Sequence, residues 1–422
     1  CIDAKFYVPD QDSDEMKYLH KRRQDLGGYQ PIRFEDCKSL KAPDIENFSD
    51  FTDGIDRSIS TTLALVRMMS KMLRDENIGP YIVPIIPDEA RTFGMDGLFS
   101  QAGIYSPDGQ NYEPVDAGTI SPYKEAKDGQ ILQEGICEAG ALASFMAAGT
   151  AYSHFQLPMI PIYIFYSIFG MQRVGDMVWA CGDAMTKGFL IGGTAGRTTL
   201  NGEGVQHQDG HSHVLASIVP NMMTYDPAFA YELAVIMQDG IKRMYQDKED
   251  IFYYITVYNE NHTHPAMPDD SREGILNGMY CFKEASESLI KKFKGKPIHL
   301  LGSGSLMQEV IEAQETLEGE GIPTYIWSVT SYNLLHRDYR DSKNSEKKSY
   351  IESILEDHDG HFLSVSDWVT LLPDSISHLF PGGLTTLGTD GYGLSETREA
   401  LRDHFGISVK SIVKKAKGLL SN

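Results

Sequence analysis

The stretch "NGEGVQHQDGHSH" (residues 201–213) holds His207, His211 and His213 with Glu203 and Asp209, separated by glycines and without apolar periodicity. Imidazole titrates near neutral pH, so these side chains could bind a metal, carry a proton or donate a hydrogen bond to developing charge. His207 and His211 stand four residues apart, which on a helix would place both rings on one face. Gly210 and the missing apolar stripe indicate a loop instead, where the logic of paired helical ligands does not hold. On these residues alone, a loop-built metal site, an acid–base site on an organic centre and a polar surface loop all stay open.

Other segments carry groups of the same interest. In "QEGICEAGALASFMAAG", Glu138 opens a helix of small apolar residues. A carboxylate is welcome at a helix N-terminus, so capping is a sufficient explanation. Ile136, Ala139, Ala141 and Leu142 around it predict a buried helix, and a buried glutamate needs a partner or a raised pKa. Asp88 and Glu89 in "IIPDEAR" fall just past an apolar strand, where open α/β sheets place ligands; a cap or a pairing with Arg91 explains them equally well. "PIHLLGSGSLMQEVIEAQ" reads as strand, turn and helix. Met307 stands where a third glycine would complete a dinucleotide fingerprint, so a tight turn is predicted there and not a nucleotide site.

The elements that must hold these groups alternate in type. Apolar runs at 81–86, 129–135, 159–166, 188–193 and 251–258 are separated by helical patterns near 138–152, 171–180 and 227–245. Ile59, Leu63, Val66, Met69 and Leu73 form a helical stripe ahead of them. Near-continuous apolar strands alternating with helices predict a parallel sheet covered on both faces. A second series has strands at 297–301, 323–329, 361–365 and 383–388, with helices near 305–317, 395–404 and 409–420. The expected fold class is α/β, with two doubly wound domains at 51–270 and 271–422. A polar linker or extension with one short helix is expected at 1–50.

Composition narrows the function classes. Of 422 residues, 41% are hydrophobic and 23% charged, the balance of a soluble globular protein with room for two cores. A net charge of -21 argues against nucleic acid and anionic lipid as partners. Five scattered cysteines without a CxxC pair predict a reducing, cytoplasmic setting and no zinc ribbon. "LPMIPIYIFYSIFGM" is too short, and too proline-broken, to span a bilayer. No charged-then-apolar leader is seen, so export is not expected. The start at Cys1 fits a processed chain or the downstream part of a longer one.

Several long runs share one resemblance. "DEARTFGMDGLFSQAGIYSPDGQNYEPVD", "ILQEGICEAGALASFMAAGTAYS", "LPMIPIYIFYSIFGMQRVGDMVWACGD", "GFLIGGTAGRTTLNGEGVQHQDGHSH" and "LGTDGYGLSETREALRDHF" resemble the homodimeric type of pyruvate dehydrogenase decarboxylating component. That family depends on thiamine diphosphate and belongs to the transketolase-like group. The resemblance implies a pyrimidine-binding thiamin diphosphate domain followed by a smaller transketolase C-terminal-like domain. It implies Mg2+ as well, with the diphosphate and metal ligands in an amino-terminal domain that this chain does not match. The nearest match to the family's Gly-Asp-Gly is Gly182-Asp183-Ala184, which lacks the second glycine.

The implied activity is that of an oxidoreductase of glycolytic carbon, a pyruvate dehydrogenase (acetyl-transferring). It decarboxylates a 2-oxo acid such as pyruvate and passes the acyl group to a lipoyl domain of dihydrolipoyl acetyltransferase. The implied assembly is a homodimer, or a hetero-oligomer with a diphosphate-binding chain. By the same resemblance Glu138 is the catalytic glutamate, which bonds the pyrimidine nitrogen and activates the cofactor for addition to a ketone. Tyr166 and Phe169 line the pyrimidine. Glu89, with Asp88 beside it, is a carboxylate close to the reacting substituent. His207, with Glu203 as its neighbour, faces the cofactor-bound intermediate, while His211 and His213 shape the loop. No metal ligand is expected in this chain. Residues 106–129, long and without periodicity, are expected to form a mobile lid. The rival readings are a histidine-loop metallohydrolase and a non-catalytic scaffold chain of a 2-oxo acid dehydrogenase complex.

Overall fold

Strands apolar on both faces must be covered on both sides. A computed structural model, which describes residues 7–29, 33–34, 37–87, 90–345 and 347–421, has that arrangement twice. The first sheet contains β1 (Ile82–Ile86), β2 (Leu132–Gln133), β3 (Ile160–Tyr166), β4 (Phe189–Gly193), β5 (Met222–Tyr225) and β6 (Phe252–Thr256). All six are parallel, in the order β2-β1-β3-β4-β6-β5. Every residue of β1, β4 and β6 is buried, as is all of β3 except Tyr166 at its carboxyl end. The helices of this half are α1 (Thr61–Met72), α2 (Glu138–Gly149), α3 (Ser167–Asp183), α4 (Ser212–Ala216) and α5 (Ala230–Ile241), the last buried throughout except at Asp239.

The second sheet contains β7 (Met279–Lys283), β8 (Ile298–Gly302), β9 (Thr324–Val329), β10 (His361–Val365) and β11 (Leu384–Leu387), in the order β7-β9-β8-β10-β11. Only the edge strand β7 runs antiparallel to its neighbour. Its helices are α6 (Met307–Gly319), α7 (Tyr332–Ser345), α8 (Arg398–Phe405) and α9 (Val409–Leu419). The fold is thus α/β, with mainly parallel sheets in both halves.

Three features differ from the sequence expectation. β5 and β7 are four and five residues long, too short to establish a period. Helix α7 is polar over most of its length and buries only Tyr332, Asn333, Leu334, Leu335 and Ser342, so its apolar stripe is too brief to read. The segment read as a linker holds the predicted short helix at Asp14–Asp25, but its later part belongs to the core. Leu40, Ala42 and Phe48 are buried, and the Leu40 N–H donates to the Tyr245 carbonyl at 3.0 Å. Isolated apolar residues among polar ones leave no period to detect.

The two sheets meet at the carboxyl ends of their strands. Asp226, just past β5, accepts hydrogen bonds from Thr256 Oγ1 (2.6 Å), from the Tyr258 hydroxyl and, across the junction, from Trp368 Nε1 (2.8 Å). Reciprocally, Asp367, just past β10, accepts from the Thr198 N–H (3.0 Å) and Thr199 Oγ1 (3.0 Å) in the loop after β4. Gly196 has φ +88°, and a Cβ there would collide with Oδ2 of Asp367, so this close approach needs glycine. Glu232 on α5 adds a third crossing: it is wholly buried and accepts from Tyr280 (2.7 Å) and Ser328 (2.6 Å) of the second sheet.

Burial pushes the Asp367 carboxyl up to about 6. A carboxyl raised on folding holds more protons folded than unfolded, so its contribution to stability falls as pH rises through that range. At roughly 1.4 kcal/mol per unit, the loss is about 3 kcal/mol. Urea unfolding of the parent and Asp367→Asn should therefore show their stability difference falling by about 2–3 kcal/mol between about pH 4 and pH 6.5, then levelling. A difference that stays flat would refute the buried-acid account.

Candidate active site

Strand β3 passes into α3 without a loop, which leaves Tyr166 and Phe169 at the carboxyl end of a central strand, where parallel sheets bind ligands. Gly193 on β4 pairs with Tyr166, and a Cβ there would lie 2.6 Å from the Phe93 ring. Its absence lets Phe93 pack on Tyr166, with ring centroids 5.3 Å apart. Phe169 meets Tyr166 at 5.8 Å, forming an aromatic shelf. His207 closes one side, 5.3 Å from Tyr166 and 5.7 Å from Phe169. Its Nδ1 lies 2.8 Å from Oε2 of Glu203, close but not aligned for a hydrogen bond.

Helix α2 brings Glu138 to the same shelf. Cys137 Sγ caps the helix, accepting from the Gly140 N–H at 3.4 Å, and Glu138 occupies the first turn. The helix is only half buried: Ala141, Leu142 and Phe145 are covered, whereas Ile136, Ala139, Ala143 and Ala147 are exposed. The sequence expectation of a buried helix holds for one face, because small apolar residues all round hide which side faces the core. Arg173 of α3 donates to Glu138 Oε1 at 2.7 Å, and its guanidinium lies 3.9 Å over the Phe169 ring. A flat group with N–H donors thus stacks on the shelf and bonds Glu138.

Of the six residues singled out from sequence, Glu138, Tyr166, Phe169, His207 and Glu203 lie around this shelf. Glu89, like its neighbour Asp88, lies outside the described residues. The three histidines of the loop diverge. His211 Nε2 meets Gln172 Oε1 of α3 at 2.9 Å, and His213 is buried against Trp368 with Nε2 2.9 Å from Thr256 Oγ1. Among the described residues, no group of three or more His, Cys, Asp or Glu side chains could hold a metal ion.

Sequence reasoning missed the residues that hold the loop. Gln208, 1% exposed, accepts from the Leu394 N–H at 2.8 Å and donates to the Leu200 carbonyl at 3.3 Å. Arg398 Nη2 donates to the Thr199 carbonyl at 2.7 Å, and Asn201 Oδ1 accepts from the Arg398 N–H at 2.7 Å. The Gly202 N–H donates to the Glu396 carbonyl at 3.1 Å. The histidine loop is therefore clamped by residues 394–398 of the second half, almost two hundred positions away, a link no local pattern announces. Arg91 pairs with Asp116 and donates to the Ser121 carbonyl at 3.0 Å, so segment 106–129 is tied to a residue two positions before the Phe93 that packs on Tyr166.

Residues 40–265 match the pyruvate dehydrogenase E1 component middle domain, and residues 278–408 match the transketolase-like C-terminal domain. The chain belongs to the pyruvate dehydrogenase E1 component family. It is 49% identical to the E1 component of Pseudomonas aeruginosa over 99% of this chain and 48% of that protein. Against the Escherichia coli (strain K12) E1 component the identity is 47%, covering 97% of this chain and 47% of that protein. The chain spans about half the length of the curated relatives it matches. Among solved structures, transketolase from Campylobacter jejuni superimposes with a TM-score of 0.64 at 16% identity, covering 98% of this chain and 51% of that one. A split gene transketolase, described as an inactive beta4 tetramer, gives 0.60 at 15% identity, with 86% of this chain and 99% of that chain covered. These likenesses show a shared transketolase-like fold.

Gln208→Ala removes both ties of the loop and leaves the Leu394 N–H and the Leu200 carbonyl without that partner, a cost of about 1–3 kcal/mol. Hydrogen exchange of residues 200–210 should accelerate by about tenfold or more, with helix α5 unchanged. Unchanged exchange in the loop would show that the clamp does not order it.

Proposed function

We propose that this chain forms the pyrimidine-binding and carboxyl-terminal part of a thiamine diphosphate-dependent pyruvate dehydrogenase (acetyl-transferring). The observation that carries the reading is the shelf itself, where Phe169 stacks a flat cation and Glu138 accepts its N–H. An aminopyrimidine ring has the same two attributes, so the residues present fit it. When bound, thiamine diphosphate supplies an electron sink for the loss of CO2 from a 2-oxo acid.

The roles of the side chains follow from where they lie. Glu138 sits at the positive end of α2 and exchanges a proton with a ring nitrogen facing it. Phe169 and Tyr166 supply apolar faces that exclude water from one side of a flat ring. His207 presents Nε2 as a donor toward developing negative charge, and Glu203 lies beside its Nδ1. Glu89 is the further carboxylate proposed near the reacting carbon. The diphosphate and Mg2+ are assigned to a separate diphosphate-binding domain or chain.

Two surface features support the proposed partners. Exposed Ile136, Trp179, Leu215 and Ile218, with Ala139 and Ala143, lie on or beside the packed helices α2, α3 and α4, apolar side chains of the kind that subunits cover. We assign them to a dimer contact, either with a second copy or with the diphosphate-binding chain. In segment 106–129, Val115 and Ile120 stand fully exposed, which suits a lid that closes as pyruvate enters and before a lipoyl group of dihydrolipoyl acetyltransferase accepts the acyl unit. A cytoplasmic location is proposed from the scattered thiols; among the described residues, no helix is long and apolar enough to cross a membrane.

Two measurements test the reading. With the diphosphate-binding half present, Glu138→Gln should lower pyruvate decarboxylation by about a hundredfold or more. Full activity would sink the assignment. Trp179→Glu should reduce the sedimenting mass of the assembled enzyme by a whole subunit; an unchanged mass would remove this face from the interface.

A further inference from the structure

The amino ends of the same strands carry a second cluster of charged groups that the proposed activity does not use. Lys187 precedes β4 by one residue, Asp250 precedes β6 by one, and Lys38 comes from the segment read as a linker. Lys187 is 5% exposed. Its Nζ donates to the Met244 carbonyl at 2.8 Å and stands 4.9 Å over the Tyr152 ring. Met244 belongs to a single π-helical turn, Lys242–Gln246, a rare geometry that is frequent at functional sites. Lys248, next along the chain, holds φ +63°, a conformation that side-chain-bearing residues rarely adopt.

Between these groups opens a cavity of about 150 Å³, lined by Lys38, Lys187, Lys248 and Asp250, with Tyr152 and Met185 as apolar walls. Among the described lining residues, three lysines face one aspartate, in a chain whose net charge is -21. With Lys187 as the neutral amine, Lys38 and Lys248 still outnumber Asp250, a local sign opposite to that of the whole molecule, so the cavity favours an anion.

We propose that this cavity binds a small carboxylate bearing a carbonyl group, and that Lys187 condenses with that carbonyl as a reversible imine. Lys38 and Lys248 supply the field that holds the carboxylate. The neutral Lys187 amine attacks the carbonyl carbon and a C–N bond forms; nitrogen passes on one proton, the C–O bond breaks as the protonated oxygen leaves as water, and the iminium loses the second proton to give the imine. The amine is prepared for this. Burial pushes the Lys187 ammonium down to about 8; Lys248 adds to that, while Asp250, Cys37 and Glu249 oppose it. Asp250, on the rim, is placed to relay the protons. Nothing here depends on the activity proposed for the opposite end of the sheet.

The test uses the full chain, glyoxylate as the probe and cyanoborohydride to trap the imine, with peptide mapping by mass spectrometry. Lys187 should acquire the carboxymethyl group about tenfold faster than Lys291, whose side chain is 75% exposed. Acetate, a carboxylate without a reactive carbonyl, should slow the labelling, and Lys248→Ala should slow it several-fold. Labelling no faster than at Lys291 overturns the proposal. Fast labelling indifferent to acetate and to Lys248→Ala overturns it too, since it would reveal a reactive amine with no carboxylate subsite.

Discussion

A buried carboxylate must collect hydrogen bonds or remain uncharged, and two such groups fix how the halves of this chain meet. Asp226 and Asp367 project from the carboxyl ends of strands in different sheets, and each takes donors from the other half: Trp368 for Asp226, Thr198 and Thr199 for Asp367. The donors are neutral, so the geometry of the junction is set by directed bonds and not by diffuse attraction. The loop that carries His207 leaves β4 through the residues bound to Asp367. Its far end is pinned where His213 packs on Trp368, beside the Asp226 cluster. The position of the imidazole over the aromatic shelf therefore follows from the pairing of the two sheets.

The carboxyl ends of the strands concentrate the candidate chemistry for a related reason. β3 runs straight into α3, so the residues at that corner have fixed backbone directions and little freedom to collapse inward. Phe93 then fills the space that Gly193 leaves and props Tyr166 from behind. A shelf built this way keeps its shape without a ligand, which lowers the ordering cost of binding one.

How much of this was legible in the sequence depended on the range of the interaction. Strands β1, β3, β4 and β6 announced themselves because runs of apolar residues exceed what one buried face requires. Glu138 stood out as a charge in apolar company, and His207 through the composition of its loop. Gln208, Arg398 and the Asp226–Asp367 pair gave no such signal. Their role exists only once distant segments are brought together, and taken singly each resembles any other polar residue. Helix α7 and the 40–48 segment failed for the opposite reason: their apolar residues are too few to set a period, although the core covers them.

The contact between Arg173 and Glu138 decides whether the shelf is blocked or merely kept in shape. The Arg173 side chain is half exposed, so its ion pair is screened and worth about 0–1 kcal/mol. Stacking of the guanidinium on Phe169 adds about 0.5–1 kcal/mol at such a site. Displacing it thus costs about 0.5–2 kcal/mol, against the roughly 8 kcal/mol of a micromolar ligand. Any flat ring that brings its own N–H to Glu138 restores both contacts and loses little of its affinity to the exchange. Arg173 is a placeholder of low cost: it shields the carboxylate and covers the ring, and it yields to a ligand that does the same with more surface.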